Sequence, residues 1–319
     1  MYNDGGGGNI GDVGVMADSI LNRGPMMITI TKPESMPSLG STKLLTYSSS
    51  KIEKSNNTDL GYLTAIMYLA PAELSGWNVC QNASDGCKDV CLNTAGRGRF
   101  DNVQLARIKR TQFFFLNRQG FIDQLIKEID AHIRKAQKLG LKPAVRLNGT
   151  SDIPWERVKI ESDKLPEPYD TMVFDNIMDM YSDVTFYDYT KYPYEKRPAH
   201  KLPANYHLTF SLSEECQGRK NDGWWHTNLY DVLDNLRQGR NVAVVFDEIP
   251  EYFEYFGYVA KCSDGDKHDM RFLDSVGVIV GLKAKGKAKK DRSGFVWHYG
   301  SNGGAELAKS IAIQQGITS

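Results

Sequence analysis

The sequence predicts an α/β protein built as a partial TIM-like (βα) barrel of about six parallel strands, with an N-terminal arm. Two observations support this prediction. Apolar runs of strand length recur along the chain, and stretches with helical spacing of apolar residues separate many of them. Strands separated by helices pair in parallel through right-handed crossovers, in either an open doubly wound sheet or a barrel. Six strands favour the barrel.

The first 58 residues differ in composition from the rest of the chain. They contain GGGG at 5–8 and the polar run SSSKIEKSNNTD, and only MMITITK at 26–32 is typical of a strand. We therefore predict a partly flexible arm over residues 1–58 and a barrel domain over residues 59–319.

Polar segments follow the predicted strands of the barrel domain. The strands are expected at 63–70, 142–148, 184–189, 206–212, 241–249 and 275–282, and the helices at 101–138, 172–180, 228–239 and 305–316. In parallel α/β folds the ligand site forms from loops at the carboxyl ends of the strands. The polar segments are therefore expected to form one ligand site at the mouth of the barrel, where the carboxyl ends of the strands meet.

Three of the five cysteines lie in one loop directly after the first predicted strand. The stretch WNVCQNASDGCKDVCLNTAGRGRF at 77–100 places Cys80, Cys87 and Cys91 at the spacing C-x6-C-x3-C. Three thiols do not pair evenly into disulfides, and thiols stay reduced in the cytosol. A [4Fe–4S] cluster accepts cysteine thiolates on such a loop and can leave one iron open to a small ligand. The three cysteines are therefore predicted to be metal ligands.

Zinc remains an alternative to the cluster. A structural zinc site takes four protein ligands, and the fourth can come from elsewhere in the chain. The candidates are Cys216, Cys262, His226 and His268.

Five further residues are candidates for catalysis or ligand binding. Arg146, Asn148 and Asp152 crowd the end of the second strand, where an inward-facing charge needs a partner, and they are the predicted catalytic residues. Gly96 and Gly98, in AGRGRF, can present backbone N–H groups to an anionic cofactor as the loop enters a helix.

Three polar segments are interpreted as structural. Arg107, Lys109 and Arg110 are expected on a solvated helix face. The basic run GLKAKGKAKKDR at 281–292 is expected to be a solvated loop, with a nucleic-acid contact as the alternative. CSDGDKHD at 262–269 is expected to be a hairpin turn rather than a calcium loop, because it lacks the terminal Glu of an EF-hand.

The composition restricts the classes of partner. Lys+Arg and Asp+Glu both number 39, so the net charge is zero, which disfavours bulk nucleic-acid binding and leaves only a local basic patch. No apolar run approaches the roughly 20 residues needed to span a bilayer, and no signal peptide is seen. A soluble cytosolic protein that does not bind membranes is expected, and its oligomeric state is left open.

The three-cysteine loop after the first barrel strand resembles that of the radical S-adenosylmethionine enzymes. In that family three thiolates hold a [4Fe–4S] cluster and the open iron binds S-adenosylmethionine. Gly277, Ile279 and Gly281 in SVGVIVGL are similar to the family's Gly-x-Ile-x-Gly, which implies that the two glycines bind the cofactor. The family's cysteine spacing is C-x3-C-x2-C, with an aromatic residue where this chain has Val90.

A second resemblance covers most of residues 60–300. LAPAELSGWNVCQNASDGCKDVCLNTAGRGRF, VQLARIKRTQFFF, AVRLNGTSDIPWE, DGDKHDMRFLD and VGLKAKGKAKKDRSGFV are similar to the gene-product-88 family of bacteriophage proteins. This resemblance implies a phage-encoded protein in the cytoplasm of a bacterial host. It implies no activity.

The sequence thus favours an iron–sulfur enzyme that carries out redox or radical chemistry on a small molecule or nucleotide. Two alternatives stay open. One is a zinc-stabilised module that binds nucleic acid or protein, and the other is an electron carrier without a substrate.

Overall fold

The computed structural model of the chain describes residues 42–47, 56, 60–161, 169, 172–214, 227–255, 257–299, 304–315 and 317. Its strands are β1 (Leu45–Thr46), β2 (Tyr62–Met67), β3 (Lys142–Arg146), β4 (Thr185–Thr190), β5 (Tyr206–Ser211), β6 (Val242–Phe246), β7 (Tyr252–Tyr255), β8 (Tyr258–Asp264), β9 (Ile279–Lys283) and β10 (Val296–Trp297). Its α-helices are α1 (Asp85–Asp89), α2 (Asp101–Leu116), α3 (Arg118–Lys138), α4 (Ile177–Met180), α5 (Thr227–Arg237) and α6 (Gly304–Gln314).

The strands form one sheet in the order β1-β2-β3-β4-β5-β6-β9-β8-β7. Pairing is parallel from β2 through to β8 in this order, and β1 and β7 pair antiparallel at the two edges. Neighbours that also follow one another in the chain indicate a singly wound sheet, as in (βα) barrels, rather than a doubly wound one. The predicted α/β class with a parallel sheet is confirmed.

The sheet is open, so the closure of a TIM-like barrel is not found. Its path ends at β1 on one side and at β7 on the other, and no ladder joins these ends among the described strands. A closed barrel needs a continuous hydrogen-bonded ladder around the ring. The sequence could not reveal this difference because β1 and β7 are short antiparallel additions at the edges.

β10 marks a place where the sheet splays. The first half of β6 pairs with β5, through Val242 and Ala243, and its second half pairs with β10, through Val245 and Phe246. β10 therefore pairs with β6 beyond the point where the pairing of β6 with β5 ends. It brings the segment before it to the carboxyl edge of the sheet.

The connection between β8 and β9 packs against strands β2 to β5. The ring centroid of Phe272 lies 4.9 Å from that of Tyr62, 5.3 Å from that of Tyr187 and 5.7 Å from that of His207. On the other side of the strands, α3 packs against β2 and β3. The parallel strands are therefore covered on both faces, as their nearly continuous apolar sequences require.

The apolar core consists of two main clusters. One is built from β2, β3 and β4 with α2 and α3, and the other from β6 to β9 with α5 and α6. The fully buried Trp155 belongs to the first cluster, where its ring centroid lies 5.2 Å from that of Phe114. The two clusters correspond to the two halves of the sheet.

Several predicted elements differ in extent from those of the structure. The region 101–138 is two helices that meet at Asn117, whose side chain caps α3 by accepting from the Gly120 N–H at 2.9 Å. The helix expected at 172–180 is only α4. The sequence missed the strands of the β7–β8 hairpin, which lies among the aromatic residues after β6.

The end of the N-terminal arm packs into the main domain. The strand expected at 26–32 lies outside the described residues, but Leu44 and Leu45 are buried and β1 pairs with β2. The carboxylate of Glu128 on α3 accepts the backbone N–H groups of Leu44 and Leu45 at 2.9 and 2.7 Å. These charge-assisted hydrogen bonds attach the arm to α3.

Candidate metal centre at the carboxyl ends of the strands

The cysteine loop begins after β2 and is joined to the loops that follow β3 and β4. The Asp152 N–H donates to the carbonyl of Val79 at 2.8 Å, and the Tyr192 hydroxyl donates to Gln81 at 3.0 Å. Carboxyl ends of neighbouring parallel strands lie at the same edge of a sheet. The structure thus brings these loops together as the sequence predicts.

Glu214, after β5, fixes the short helix that carries Cys87. Its carboxylate accepts from the Ser84 hydroxyl at 2.5 Å and from the Gly86 N–H at 2.8 Å. The Ser84 oxygen in turn accepts from the Cys87 N–H at 3.2 Å. Two residues beyond Glu214 the chain contains Cys216, which lies outside the described residues.

The thiols of Cys80, Cys87 and Cys91 are partly buried and lie close enough for their charges to interact in all three pairs. Burial raises the pKa of Cys80 to about 12, and the neighbouring Cys91 and Cys87 raise it as well. Burial also raises the pKa of Cys87 and of Cys91. The unliganded thiols therefore keep their protons at neutral pH, and a metal that binds them must displace those protons.

Lys191, at the end of β4, places a fixed positive charge beside two of the thiols. Its ammonium donates to the carbonyl and hydroxyl oxygens of Ser211, both at 3.0 Å, and lies 4.9 Å from the ring centroid of Phe295. Against the effect of burial, this charge lowers the pKa of Cys87 and of Cys91. Its hydrogen-bond partners are neutral, and it forms no salt bridge within the described residues.

Arg107 places a second cation near Cys91. Arg107 as a whole is only 6% exposed, and its guanidinium donates to the carbonyl of Asn93 at 2.8 Å and lies 5.1 Å from the ring centroid of Tyr68. The interpretation of Arg107 as part of a solvated helix face is wrong. The residue lies one turn before the buried Thr111, on the side of α2 that faces the loop and the core. Lys109 is exposed, as expected.

Among the described residues, no three Cys, His, Asp or Glu side chains form a group that could hold a metal ion. A cubane cluster separates its thiolates more widely than a single ion does, because each thiolate binds a different iron. The observations that bear on a cluster are therefore the convergence of the three thiols and the charges around them.

Arg146, the last residue of β3, has acidic partners deep in the protein. Its Nη1 donates to both oxygens of Asp269, at 3.1 and 3.0 Å, and its Nε lies 3.9 Å from Asp188. Burial alone would lower the pKa of Arg146, but Asp269 and other neighbours raise it above its ordinary value. The expected partner for the inward charge exists, and its contacts are with the protein.

Asn148 uses its whole carboxamide to hold the loop after β3. Its Oδ1 accepts from the Ser151 hydroxyl at 2.8 Å, the Ile153 N–H at 3.0 Å and the Trp155 Nε1 at 3.2 Å. Its Nδ2 donates to the Ile153 carbonyl at 2.9 Å and to Asp188 at 3.2 Å. The described geometry gives Asn148 a positioning role, and its predicted catalytic role stays a prediction.

Asp152 is the predicted catalytic residue nearest to the thiols, with a charge that acts on Cys80 and Cys87. Its carboxylate accepts from the Lys191 N–H at 2.7 Å and from the fully buried Arg197 at 3.2 Å. Arg197 also forms a bidentate pair with Glu156, at 2.9 and 2.7 Å. Burial raises the pKa of Asp152, and Arg197 opposes that rise.

The four glycines predicted to bind a cofactor lie in different places. Gly96 is exposed in the cysteine segment, and Gly98 is packed so closely on the carbonyl of Asn93 that no side chain would fit. Gly277 precedes β9, at the edge of the sheet opposite the cysteine loop, and Gly281 packs within β9 against Ile249. The structure thus brings only Gly96 and Gly98 near the thiols.

Two concavities of about 530 and 250 Å³ lie away from the cysteines. The larger is lined by Glu156 and His200, and the smaller by residues at the amino ends of β5 and β6, including His207 and Asn241. Neither contains a thiol. The chemically distinctive side chains meet instead in the loops at the carboxyl ends of the strands.

Residues 40–299 match the family model described as gene product 88. The chain belongs to the gene product 88 family. No curated protein and no solved structure matches the chain significantly.

The part of this gene product 88 protein that matches the family contains all the described loops around the thiols, including the three cysteines and Lys191. It ends before α6. The resemblance seen in the sequence is thereby confirmed for this family, and the resemblance to radical S-adenosylmethionine enzymes has no such support. No helix in the described part of the chain is long and apolar enough to cross a membrane.

Sequence reasoning misassigned Arg107 and gave no individual role to Glu214 or Lys191, although both of these lie in polar segments expected at the carboxyl ends of the strands. A signal exists for Arg107, because it shares a helical face with Thr111 and Phe114, four and seven positions later. For the other two residues the sequence indicates only the segment, and their individual contacts have no local signal. Their contacts with the cysteine loop join segments more than 100 positions apart.

Proposed function

We propose that this protein binds one [4Fe–4S] cluster through Cys80, Cys87 and Cys91, and that it is a redox or radical enzyme acting on a small molecule or nucleotide. The observation that carries the proposal is the convergence of three thiols at the carboxyl edge of a parallel sheet, beside Lys191 and Arg107. In parallel α/β proteins this edge is where ligands bind.

The charge environment supports a cluster with three thiolates. Three thiolates on a cubane give a net negative group, which needs positive charge in a partly buried site. Lys191 and Arg107 supply that charge, and neither forms a salt bridge within the described residues.

The chain's own residues have definable roles around the cluster. A bound [4Fe–4S] group supplies one-electron transfer and one iron that can accept a small ligand. Glu214 orients the helix that carries Cys87, and Asn148 and Asp152 fix the loop against which the cysteine segment packs. Thr150, whose carbonyl lies 3.8 Å from the Cys80 sulfur, limits the movement of that thiol.

Anaerobic purification with iron and acid-labile sulfide analysis tests the proposal. About four irons and four sulfides per chain are expected, with visible charge-transfer absorption that is lost on oxidation. A colourless protein that contains zinc would contradict the cluster and support the zinc-stabilised alternative. Full iron content with four protein thiolates would instead support an electron carrier.

S-adenosylmethionine is the small ligand that the radical-enzyme resemblance implies for the open iron. The support comes from the three-thiol loop alone, because Gly277 lies at the opposite edge of the sheet and Gly281 packs against Ile249. The binding of S-adenosylmethionine by the cluster-loaded protein, measured by equilibrium dialysis, tests this part. A place of action in the host cytoplasm belongs to the same proposal.

A further inference from the structure

The basic run at 281–292 packs directly against the cysteine segment. Ala284 and Ala288 of this run are buried in a small cluster that also includes Val90 and contacts Cys87. A Cβ on Gly286, which has a positive φ of 58°, would lie 3.2 Å from the Cβ of Ala95. The expectation of a solvated loop is therefore only partly met, since the backbone of the run is anchored.

This anchoring gathers exposed cations from two distant parts of the sequence. We call them the basic rim, defined as Arg97 and Arg99 of the cysteine segment together with Lys283, Lys287, Lys289, Lys290 and Arg292, all of which are exposed. Within the described part of the chain, no salt bridge involves any of the seven. Lys285, which pairs with Asp266 at 2.6 Å, is not included.

The basic rim gives an electrically neutral chain a positive pole. Residues 77–100 and 281–292 together contain nine basic and three acidic residues, a surplus of six in a chain whose net charge is zero. One of the three acids, Asp291, is buried and accepts the backbone N–H of Val296 at 2.9 Å. The remaining chain must therefore carry a net negative charge, and polyanions are directed to this rim.

An exposed aromatic residue ends the cysteine segment. Phe100 is 50% exposed, and the guanidinium of Arg99 lies 5.6 Å from its ring centroid. An exposed ring beside several cations matches the surface that binds single-stranded nucleic acid, in which bases stack on aromatic rings and phosphates contact lysines. Duplex DNA keeps its bases stacked inside and offers no such partner to the ring.

We propose that the basic rim and Phe100 bind a single-stranded nucleic acid, with the phosphates on the lysines and one base on the ring. This surface borders the thiols but does not depend on a bound cluster. The proposal therefore goes beyond the function proposed above, and either can fail without the other.

Fluorescence anisotropy with the full-length protein tests the proposal. The probes are a labelled mixed-sequence DNA single strand, the same sequence as RNA, and the DNA duplex, each over a series of salt concentrations. We expect either single strand to bind more tightly than the duplex, with affinity that falls as salt rises. The ratio of DNA to RNA affinity assigns the natural strand. Tighter binding of the duplex, or no binding at low salt, overturns the proposal.

Two kinds of variant separate the contributions of charge and ring. The triple variant K287Q/K289Q/K290Q should reduce the slope of log affinity against log salt by roughly 2, at about 0.7 per phosphate contact. Phe100→Ala should weaken single-strand binding roughly tenfold and leave the slope unchanged, because stacking releases no counterions. A slope unchanged in the lysine variant overturns the proposal.

A matched control changes three exposed lysines elsewhere on the molecule. The variant K127Q/K138Q/K261Q removes the same charge from α3 and β8. It should leave the slope close to that of the wild type. If it reduces the slope as much as the rim variant does, the binding is a general effect of charge and the proposal is wrong. The double variant R97Q/R99Q repeats the test if the lysine variant does not fold.

Discussion

At the scale of single residues, the cysteines are the part of the site that the sequence predicts most directly. Three thiols within twelve positions are expected to lie close together in the fold, because one loop carries them all. Their chemical surroundings could not be predicted in the same way. Lys191 reaches the thiols from the loop after β4, and Arg107 reaches them from α2, so their positions depend on the folded sheet.

Single replacements of the cysteines by Ala should separate the cluster ligands from the other thiols. We expect Cys80→Ala, Cys87→Ala and Cys91→Ala each to lose most of the iron, because two thiolates rarely retain a cubane. Iron per protein after anaerobic purification is the measurement. Cys262→Ala is the matched control, since this partly buried thiol lies in β8 against the second core cluster.

The same series examines whether the cluster is closed. Cys216→Ala is also expected to leave the iron content nearly intact, because a catalytic cluster keeps one iron open. Loss of iron in this variant equal to that in the three loop variants would mean four protein thiolates, and would favour an electron carrier over an enzyme.

Lys191→Gln should lower the reduction potential of the cluster. A nearby cation stabilises the reduced, more negative cluster, and a partly buried charge is weakly screened. The measurement is a redox titration of the purified protein followed by visible absorption. Lys88→Gln removes the same charge beside Cys87 at an exposed position, where solvent screens it, so a smaller shift is expected. Equal shifts in the two variants would contradict a special role for Lys191.

At the scale of elements, strong apolar runs predicted the strands well, and short edge strands escaped prediction. β4 and β5 each lie within one residue of their predicted runs, and β2 begins one residue before its run and ends three residues before the run does; most residues of these strands are buried. β1 and β10 have two residues each, and their pairing partners, rather than their composition, define them. β7 and β8 lie in an aromatic stretch that is equally compatible with a core or an interface.

One helix is attached to the sheet by a buried histidine. His132 on α3 is 1% exposed, and its Nε2 lies 3.0 Å from the carbonyl of Leu63 in β2 and 3.2 Å from that of Ala144 in β3. Both partners are acceptors, so Nε2 carries the proton in the neutral ring. Burial lowers the pKa of His132 from 6.5 to about 4.

The low pKa of His132 predicts a loss of stability in acid. The folded state favours the neutral ring, so the stabilisation is complete above the unfolded-state pKa of 6.5 and is lost as the pH falls through about 4. His132→Gln can keep an N–H donor without titrating. Between pH 7 and pH 4 the wild type should lose about 3 kcal/mol more unfolding free energy than this variant.

Urea unfolding at a series of pH values measures this difference. His200→Gln serves as the control, because His200 is exposed on a short helical turn. It should follow the wild type throughout. A His132→Gln protein with the pH dependence of the wild type would show that other groups cause the acid loss.

At the scale of the whole molecule, the sequence predicted the winding of the sheet but not its closure. Alternating strands and helices indicate consecutive parallel neighbours, and β2 to β6 are arranged in that way. Whether the ends meet depends on what covers the edges and the faces. Here the β8–β9 connection lies across β2 to β5, and its contacts with β2 and β3 join residues more than 100 positions apart, which no local pattern reveals.

The pair formed by Arg146 and Asp269 joins the two halves of the sheet. Asp269 is fully buried in the β8–β9 connection, and Arg146 ends β3 in the other half. Removing one member of such a pair leaves a buried charge, which costs about 3–5 kcal/mol, whereas replacing both with apolar side chains is often close to neutral. The same buried position makes a structural role for Arg146 compete with its predicted catalytic role.

A double-mutant cycle of Arg146→Met and Asp269→Leu separates these roles. We expect each single variant to lose about 3–5 kcal/mol of unfolding free energy, and the double variant to recover most of that loss. Asp188, the remaining acidic neighbour, can tolerate the loss of Arg146, because burial raises its pKa to about 7 and further loss of positive charge lets it bind a proton.

Urea unfolding and iron content of all four proteins are the measurements. Iron should stay bound in the double variant, since no contact of Arg146 among the described residues involves a thiol. Additive losses of stability would show that the two charges are not coupled, and a stable double variant without iron would return Arg146 to the metal centre.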